Sequence, residues 1–364
     1  MQKQVTKSDY KGKDIFVGID THKKSWNITI MIGVYTKTFN APPSAEELRN
    51  YLEKNFPGGN YYSAYEAGFS GFWIHYQLLE YGINSIVVNA ADIPTTVKEK
   101  IQKTDARDSR KIAKSLQNND LTAIYIPSKI CLNDRSLNRY RGTVSKDLSR
   151  VKNRIKSFLN LNGINLPDDI SEKRWPKKLI TWLRELDLDP SLRLTLNGHL
   201  EDYDRLTQKK ANINKQVEFL SKTPRYQKDA ELLQSIPGIG LITAMSFLTE
   251  LEDINRFKSF DQFCSFVGLV PSTRSSGEKD KIGEITPRAQ AILRPTLIEA
   301  SWTAIRRDPA LANKYAELCH KGLIPNKAII RIARKLLRRM RSVLKNRIHY
   351  EFDVVHYSIK QPVQ

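Results

Sequence analysis

Apolar residues follow two different rhythms along this chain, with the change near residue 130. Asp14-Ile-Phe-Val-Gly-Ile-Asp20 is a short apolar run ending in an acid, the pattern of a buried strand. Trp26 to Ile32 is also rich in strand formers, and the short Thr21–Ser25 link predicts an antiparallel hairpin. Residues 44–55 have helical spacing, with Ser44 as N-cap and Glu47 in the capping-box position. Tyr61 to Glu66 then predicts a strand, Phe72 to Tyr81 a helix, Ile83 to Val88 a strand, and Thr104 to Leu116 a helix. Strands alternating with helices imply an α/β layered domain.

From about residue 132 the period lengthens. Leu137, Val144, Leu148, Val151, Ile155 and Phe158 recur at three-, four- and seven-residue steps, a heptad-like seam. Leu206, Ile213, Val217 and Leu220 form a second seam beyond Pro190. Together they predict an antiparallel helical hairpin or a dimerising coiled coil, with a plain helical linker as the simpler reading. Farther on, Ile236-Pro-Gly-Ile-Gly240 separates two helical patterns. This is the layout of a helix-hairpin-helix that grips a nucleic-acid backbone, or of an ordinary helix–helix turn. Lys327 to Arg347 predicts an amphipathic helix with Ile330, Ala333, Leu337, Met340 and Leu344 as its stripe. The resulting division is 1–130 for the α/β domain, 131–228 for a helical coiled-coil linker, 229–352 for a mainly α-helical C-terminal domain, and 353–364 for a tail.

Charge adds a partner to this outline. The 364 residues carry a formal net charge of +20, and nine Lys or Arg fall within the 21 positions of Lys327–Arg347. Basic surfaces bind phosphate polyanions by releasing condensed counterions, so nucleic acid is favoured over a membrane surface. Cys131, Cys264 and Cys319 are far apart and lack metal spacing, which predicts neither disulfides nor a zinc site and fits a reducing cytoplasm. The polar start predicts no signal peptide, and no run of about 18 apolar residues predicts a membrane span.

Four acids stand at informative places. Asp20 and Glu66 each end a predicted strand, where α/β sheets place ligands. Asp105 and Asp108 are three apart and share a helix face. Four such carboxylates can supply oxygen ligands to Mg²⁺, with Mn²⁺ as the alternative ion, for phosphodiester displacement. The plainer readings are a turn cap at Asp20 and pairing of Asp105 or Asp108 with Lys103, Arg107 or Arg110. Phe16-Val-Gly-Ile-Asp20 with Thr21 also resembles the first phosphate-binding turn of sugar kinases and actin-like ATPases, but the region from 229 onward has isolated glycines and no Gly-Gly phosphate turn. Residues 266–283 form a polar, glycine-bearing loop in which Ser275 or Ser276 becomes a nucleophile only if a base or metal activates it. Otherwise it is a surface loop.

These segments together resemble the DEDD-type transposases of bacterial insertion sequences, a family that includes bridge-RNA-guided recombinases and pilin-gene invertases. The resemblance spans nearly the whole chain. It rests on Phe16–Lys23, Tyr65-Glu-Ala-Gly68, Lys103–Asp108, Ile236–Gly240, Phe257 with Phe260, Gly268-Leu-Val-Pro271 and Ser276-Gly277. It implies a RuvC-like (ribonuclease-H-like) N-terminal domain whose Asp20, Glu66, Asp105 and Asp108 bind Mg²⁺. It also implies a C-terminal transposase domain whose Ser276, with Ser275 as fallback, joins covalently to DNA. Donor and target DNA, a structured noncoding guide RNA, a homo-oligomer (dimer or tetramer), and a nucleoid-associated place in the bacterial cytoplasm follow from the same resemblance. One stretch departs from the family pattern: Pro287, Ala289 and Gln290 replace a Lys-x-Gly-Asn-like segment before Leu293-Arg294. Two alternatives stand beside this reading, a RuvC-like nuclease or resolvase using metal-activated water and a non-enzymatic RNA-binding protein.

Overall fold

The computed structural model describes residues 10–94, 104–170, 175–276, 279–286 and 290–351. The chain divides into two compact units, Met1–Ile126 and Pro127–Gln364.

In the first unit, five strands form one sheet: β1 (Asp14–Thr21), β2 (Trp26–Ile32), β3 (Tyr35–Ala41), β4 (Asn60–Glu66) and β5 (Asn84–Val88), in the order β3-β2-β1-β4-β5. β1 and β2 are the expected antiparallel hairpin, while β4 runs parallel to β1 and β5 parallel to β4. The sequence pattern gave no sign of β3. It lies at the sheet edge with mostly exposed or half-buried side chains, so it lacks the apolar alternation that marks a covered strand. One face buries Ile15, Val17, Ile19, Ile28 and Ile30 against the apolar sides of α1 (Ala45–Asn55) and α2 (Trp73–Glu80). Helix α1 starts as expected, with Ser44 Oγ accepting the Glu47 N–H at 3.2 Å.

The opposite face carries α3 (Asp105–Gln117) and is built differently. Strand alternation puts Gly18 on this side, and a Cβ there would lie 2.1 Å from the Ser109 carbonyl oxygen and 2.4 Å from the Ala113 nitrogen. The helix therefore rests on bare backbone. Around that contact, Ser109 Oγ donates to Asn27 Oδ1 at 2.6 Å and lies 2.8 Å from Thr29 Oγ1. Thr29 reaches Thr38 at 2.9 Å, and Asn27 Nδ2 donates to Asn40 Oδ1 at 2.6 Å. Each hydroxyl has one proton. With the Ser109 proton on Asn27, Thr29 donates to Ser109 and Thr38 to Thr29. Ser109 and Thr29 are fully buried, so this satisfied network fixes the helix in rotation and register at once.

Among the described residues, the second unit is helical apart from one β-hairpin. α4 (Lys129–Leu161), α5 (Lys177–Glu185) and α6 (Pro190–Ser221) precede α7 (Gln227–Gln234), α8 (Leu241–Leu251), α9 (Phe260–Val267), α10 (Leu293–Ala304), α11 (Pro309–His320) and α12 (Pro325–Asn346). Helices α4 and α6 pair within one chain through the two expected seams. Their direction follows from side-chain partners: Arg141 donates to Asn214 at 2.7 Å, while farther along α4 Lys152 stands 5.8 Å from the Tyr203 ring. Positions rise along one helix as they fall along the other, so the pair is antiparallel. One continuous apolar core runs from this hairpin through α7–α12.

Two buried acids, each paired with an arginine, brace that core. Glu250, 2% exposed, accepts from Arg139 Nε at 2.7 Å and Nη2 at 3.0 Å, while Arg135 donates to the Thr249 and Glu250 carbonyls. Asp308 caps α11 through the Leu311 N–H at 3.0 Å and receives Arg339 and the Tyr350 hydroxyl on its other oxygen. Gly238 turns the chain between α7 and α8 with φ +92°, and a Cβ there would lie 2.7 Å from both the Cβ and the nitrogen of Ala304. The 266–283 segment, read as a loop, contains a two-stranded antiparallel ribbon of β6 (Pro271–Ser276) and β7 (Lys279–Ile285). Backbone pairing satisfies such a ribbon without an apolar alternation to announce it. Among the described residues, no helix is long and apolar enough to cross a membrane.

Glycine substitutions test these contacts by urea unfolding. Gly18→Ala is expected to destabilise by about 3 kcal/mol or more, because the obstructing atoms belong to a helix backbone. Gly238→Ala is expected to cost about 2–4 kcal/mol from strain and collision together. Gly142→Ala is the control: its site within α4 is open, and it is expected to stabilise by about 0.5–1 kcal/mol.

Candidate functional site

Parallel pairing of β1 with β4 sets Ile19 beside Tyr65, so the next residues, Asp20 and Glu66, end adjacent central strands at the same level. Alternation places Asp20 on the Gly18 side and Glu66 on the Ala64 side, and Ala64 packs with Ile112 of α3. Both acids therefore belong to the face covered by α3. That helix begins at Asp105 and carries Asp108 in the same first turn, where its N-terminal dipole favours negative charge. Asp108 is directly followed by Ser109, the residue pegged into the sheet. All four sequence-predicted acids thus belong to one sheet edge and one helix start.

The contacts differ from acid to acid. Asp20 is only 21% exposed, whereas Asp105 is 64% exposed. Between them stands His22, whose Nε2 is 3.3 Å from Asp20 Oδ2 and 3.3 Å from Asp105 Oδ2. Donor atoms of Asp20, His22 and Asp105 lie within 4.8 Å of one another. Asp108 faces Lys111 at 3.5 Å. Glu66 is positioned by register at the same edge.

Burial pushes the Asp20 carboxyl above its ordinary value, and the charges of Asp105 and Asp108 push it the same way, against the His22 imidazole. The donor set is hard oxygen with one imidazole nitrogen, which fits a divalent cation. Asp20, His22 and Asp105 bring donor atoms close enough to hold one together, with Asp108 and Glu66 at the same edge.

Ser276 is the last residue of β6, paired with Lys279, and Ser275 pairs with Asp280, so both serines sit at the end of the ribbon. They belong to the second unit and the acids to the first. Of the departing segment, Pro287 and Ala289 lie outside the described residues. Gln290 donates its N–H to the Phe266 carbonyl at 3.3 Å. Arg294 donates to the carbonyls of Thr286 at 2.7 Å and Gly268 at 3.3 Å, tying the end of the ribbon to the end of α9. Along α12 the core takes Ile329, Ile332, Leu336 and Val343 besides Ala333, Leu337, Met340 and Leu344 of the stripe read from the sequence; Ile330 is half-buried, and Arg331, Lys335 and Arg338 remain exposed. A groove of about 660 Å³ lies beside it, lined by Arg334, Lys335, Arg338, Phe260, His349 and Tyr350. Arg338 stacks over Phe260 with 4.7 Å to the ring centroid.

Sequence reasoning missed His22 as a site member, and Asn27, Thr29 and Ser109 as its foundation. The one available signal was that His22 sits two residues past Asp20 in a short hairpin link. The Asn27–Thr29–Ser109 network left no signal, because its members are about 80 residues apart.

A carboxyl with a raised pKa binds its proton more readily in the folded chain, so folding loses stability as pH rises through the window just above 3.8. In EDTA at pH 7, Asp20→Asn is therefore expected to unfold at higher urea than the native chain. Added Mg²⁺ or Mn²⁺ is expected to stabilise the native chain and not the variant, read as the shift in unfolding midpoint.

Two family models match the chain. One, described as "Transposase" and of the DEDD type of IS110 elements, covers residues 17–162 and so contains all four acids. The other, described as "Transposase IS116/IS110/IS902 family", covers residues 230–316 and contains both serines. Among curated relatives, a putative transposase of Sinorhizobium fredii is 29% identical over 66% of this chain, which spans 58% of that relative's length. The transposase for insertion sequence element IS1111A of Coxiella burnetii is 26% identical over 70% of this chain and 69% of its own. That for insertion sequence element IS1533 of Leptospira borgpetersenii is 24% identical over 89% of this chain and 96% of its own. With both signatures present, in order and on the residues just described, the chain belongs to the IS110/IS116/IS902 family of DEDD transposases.

Proposed function

We propose that this protein is a site-specific recombinase of an insertion sequence, cutting and rejoining DNA through a serine nucleophile assisted by a divalent metal. The observation that carries this reading is the meeting of Asp20 and Asp105 around His22 at the end of the central strand, with Asp108 and Glu66 at the same edge. A five-stranded sheet in the order β3-β2-β1-β4-β5, its first three strands antiparallel, supports a RuvC-like domain.

Bound Mg²⁺ or Mn²⁺ would supply Lewis-acid stabilisation of the charge that builds on a phosphodiester under attack. Asp20, Asp105, Asp108 and Glu66 would hold it. Ser276 Oγ attacks phosphorus, its proton leaves to a base, and a DNA oxygen departs with the electron pair of the broken P–O bond. The phosphoserine ester keeps the bond energy, so an incoming DNA hydroxyl restores the phosphodiester and frees the serine without ATP. Because one serine holds one end, exchange between donor and target calls for several subunits, which supports a homo-oligomer. The exposed cations of α12, the groove beside it, and Arg and Lys along α4 and α6 offer the phosphate-binding surface for DNA and for a guide RNA. In this reading the Gly238 turn presents N–H groups of α8 to a backbone phosphate.

With a radiolabelled DNA substrate, the native protein is expected to form an adduct that survives denaturing electrophoresis. Ser276→Ala is expected to remove adduct and cleavage by on the order of 10⁴-fold or more, with Ser275→Ala near native. Cleavage without an adduct would instead point to hydrolysis by water. Combined Lys335→Ala and Arg338→Ala is expected to weaken DNA or RNA binding and to lower the slope of log affinity against log salt by about 1 per lost phosphate contact.

A further inference from the structure

We infer that His22 is a ligand of the ion held by Asp20 and Asp105, and that its imidazole tilts this site from Mg²⁺ toward transition-series divalent ions. The inference rests on the metal-assisted reading above and adds to it a nitrogen donor outside the four acids.

The geometry comes first. His22 follows the last residue of β1, and its N–H donates to the Ser25 carbonyl at 3.1 Å, closing the β1–β2 link. That bond anchors the backbone at the sheet edge beside Asp20. Nε2 lies 3.3 Å from one oxygen of each neighbouring aspartate, and the set spans no more than 4.8 Å. Two donors about 2.1–2.2 Å from one ion and at right angles are about 3.0 Å apart. The two His22 separations are therefore close to those of adjacent positions in one coordination shell.

The electronics narrow the choice. A nitrogen facing two carboxylate oxygens either carries a proton shared between them or presents a lone pair. The lone pair is repelled by both unless a cation stands between. His22 is 46% exposed, and an ion pair so open to water contributes little. A cation between them turns all three donors toward one centre. Mg²⁺ prefers oxygen and keeps its waters, while imidazole affinity rises from Mn²⁺ through Co²⁺ and Ni²⁺.

The full-length protein with Mn²⁺ as the probe gives a direct readout. Pulsed electron paramagnetic resonance is expected to show nitrogen modulation from a coordinated imidazole in the native chain. His22→Ala is expected to abolish that modulation and weaken Mn²⁺ binding about tenfold, while Mg²⁺ affinity, read by competition, changes less than about threefold. His22→Gln keeps an N–H for the two carboxylates but no imidazole, so it is expected to lose the modulation as well. Mn²⁺ bound without nitrogen modulation, and lost in Asp20→Asn, would overturn the role of His22 and leave the acidic site standing. Modulation that persists in His22→Ala would overturn it too. Failure of the native chain to bind Mn²⁺ or Mg²⁺ at all would remove the acidic site itself.

Discussion

A helix can approach a sheet to backbone contact only where the sheet offers no side chain, and in this protein that place is Gly18. The carbonyl of Ser109 and the nitrogen of Ala113 occupy the space a Cβ would take. Everything at the candidate site is levelled from this contact. It fixes how deep α3 lies, the Ser109 hydroxyl fixes how it is rotated, and Asp105 and Asp108 precede Ser109 by four residues and one. Their distance from Asp20 is thus set by a glycine on the same strand two residues before it. Carboxylates meant to share an ion repel each other until the ion arrives, so their approach has to be imposed by packing elsewhere.

The electrostatics of the molecule run in two senses. The chain as a whole is strongly basic, as suits a partner covered in phosphate. Against that excess, one edge of the first unit gathers carboxylates, and burial together with the charges of Asp105 and Asp108 raises the Asp20 carboxyl. In the proposed reading, a local acidic site in a basic protein lets the surface attract a polyanion while the site keeps its affinity for a cation. His22 stands between two of the acids, its Nε2 3.3 Å from an oxygen of each.

In the second unit, charge is used for registration. Glu250 and Asp308 are buried acids, each answered by an arginine from a distant helix and by further hydrogen bonds. A buried pair is costly to break because it strands the other charge, so each acts as a key that accepts one arrangement of helices. Gly238 adds a steric key between α7–α8 and α10.

Local pattern carried much of this protein. The apolar run of β1, the Ser44 cap and the two helical seams were legible because strand and helix periods are properties of neighbouring residues, and the four acids because each stands at an element's end. The edge strand β3 was not, since it has no face buried enough to demand alternation, and the β6–β7 ribbon was not, since its residues show no apolar alternation along the chain. Tertiary structure alone decided that α4 and α6 pair within one chain, for a heptad seam is equally satisfied by another copy. It alone revealed His22 as the third member of the Asp20–Asp105 cluster. It alone joined Gly18, Asn27 and Thr29 to Ser109, because hydrogen bonds and backbone contact across about 80 residues depend on how layers stack, and no periodicity along the chain encodes stacking.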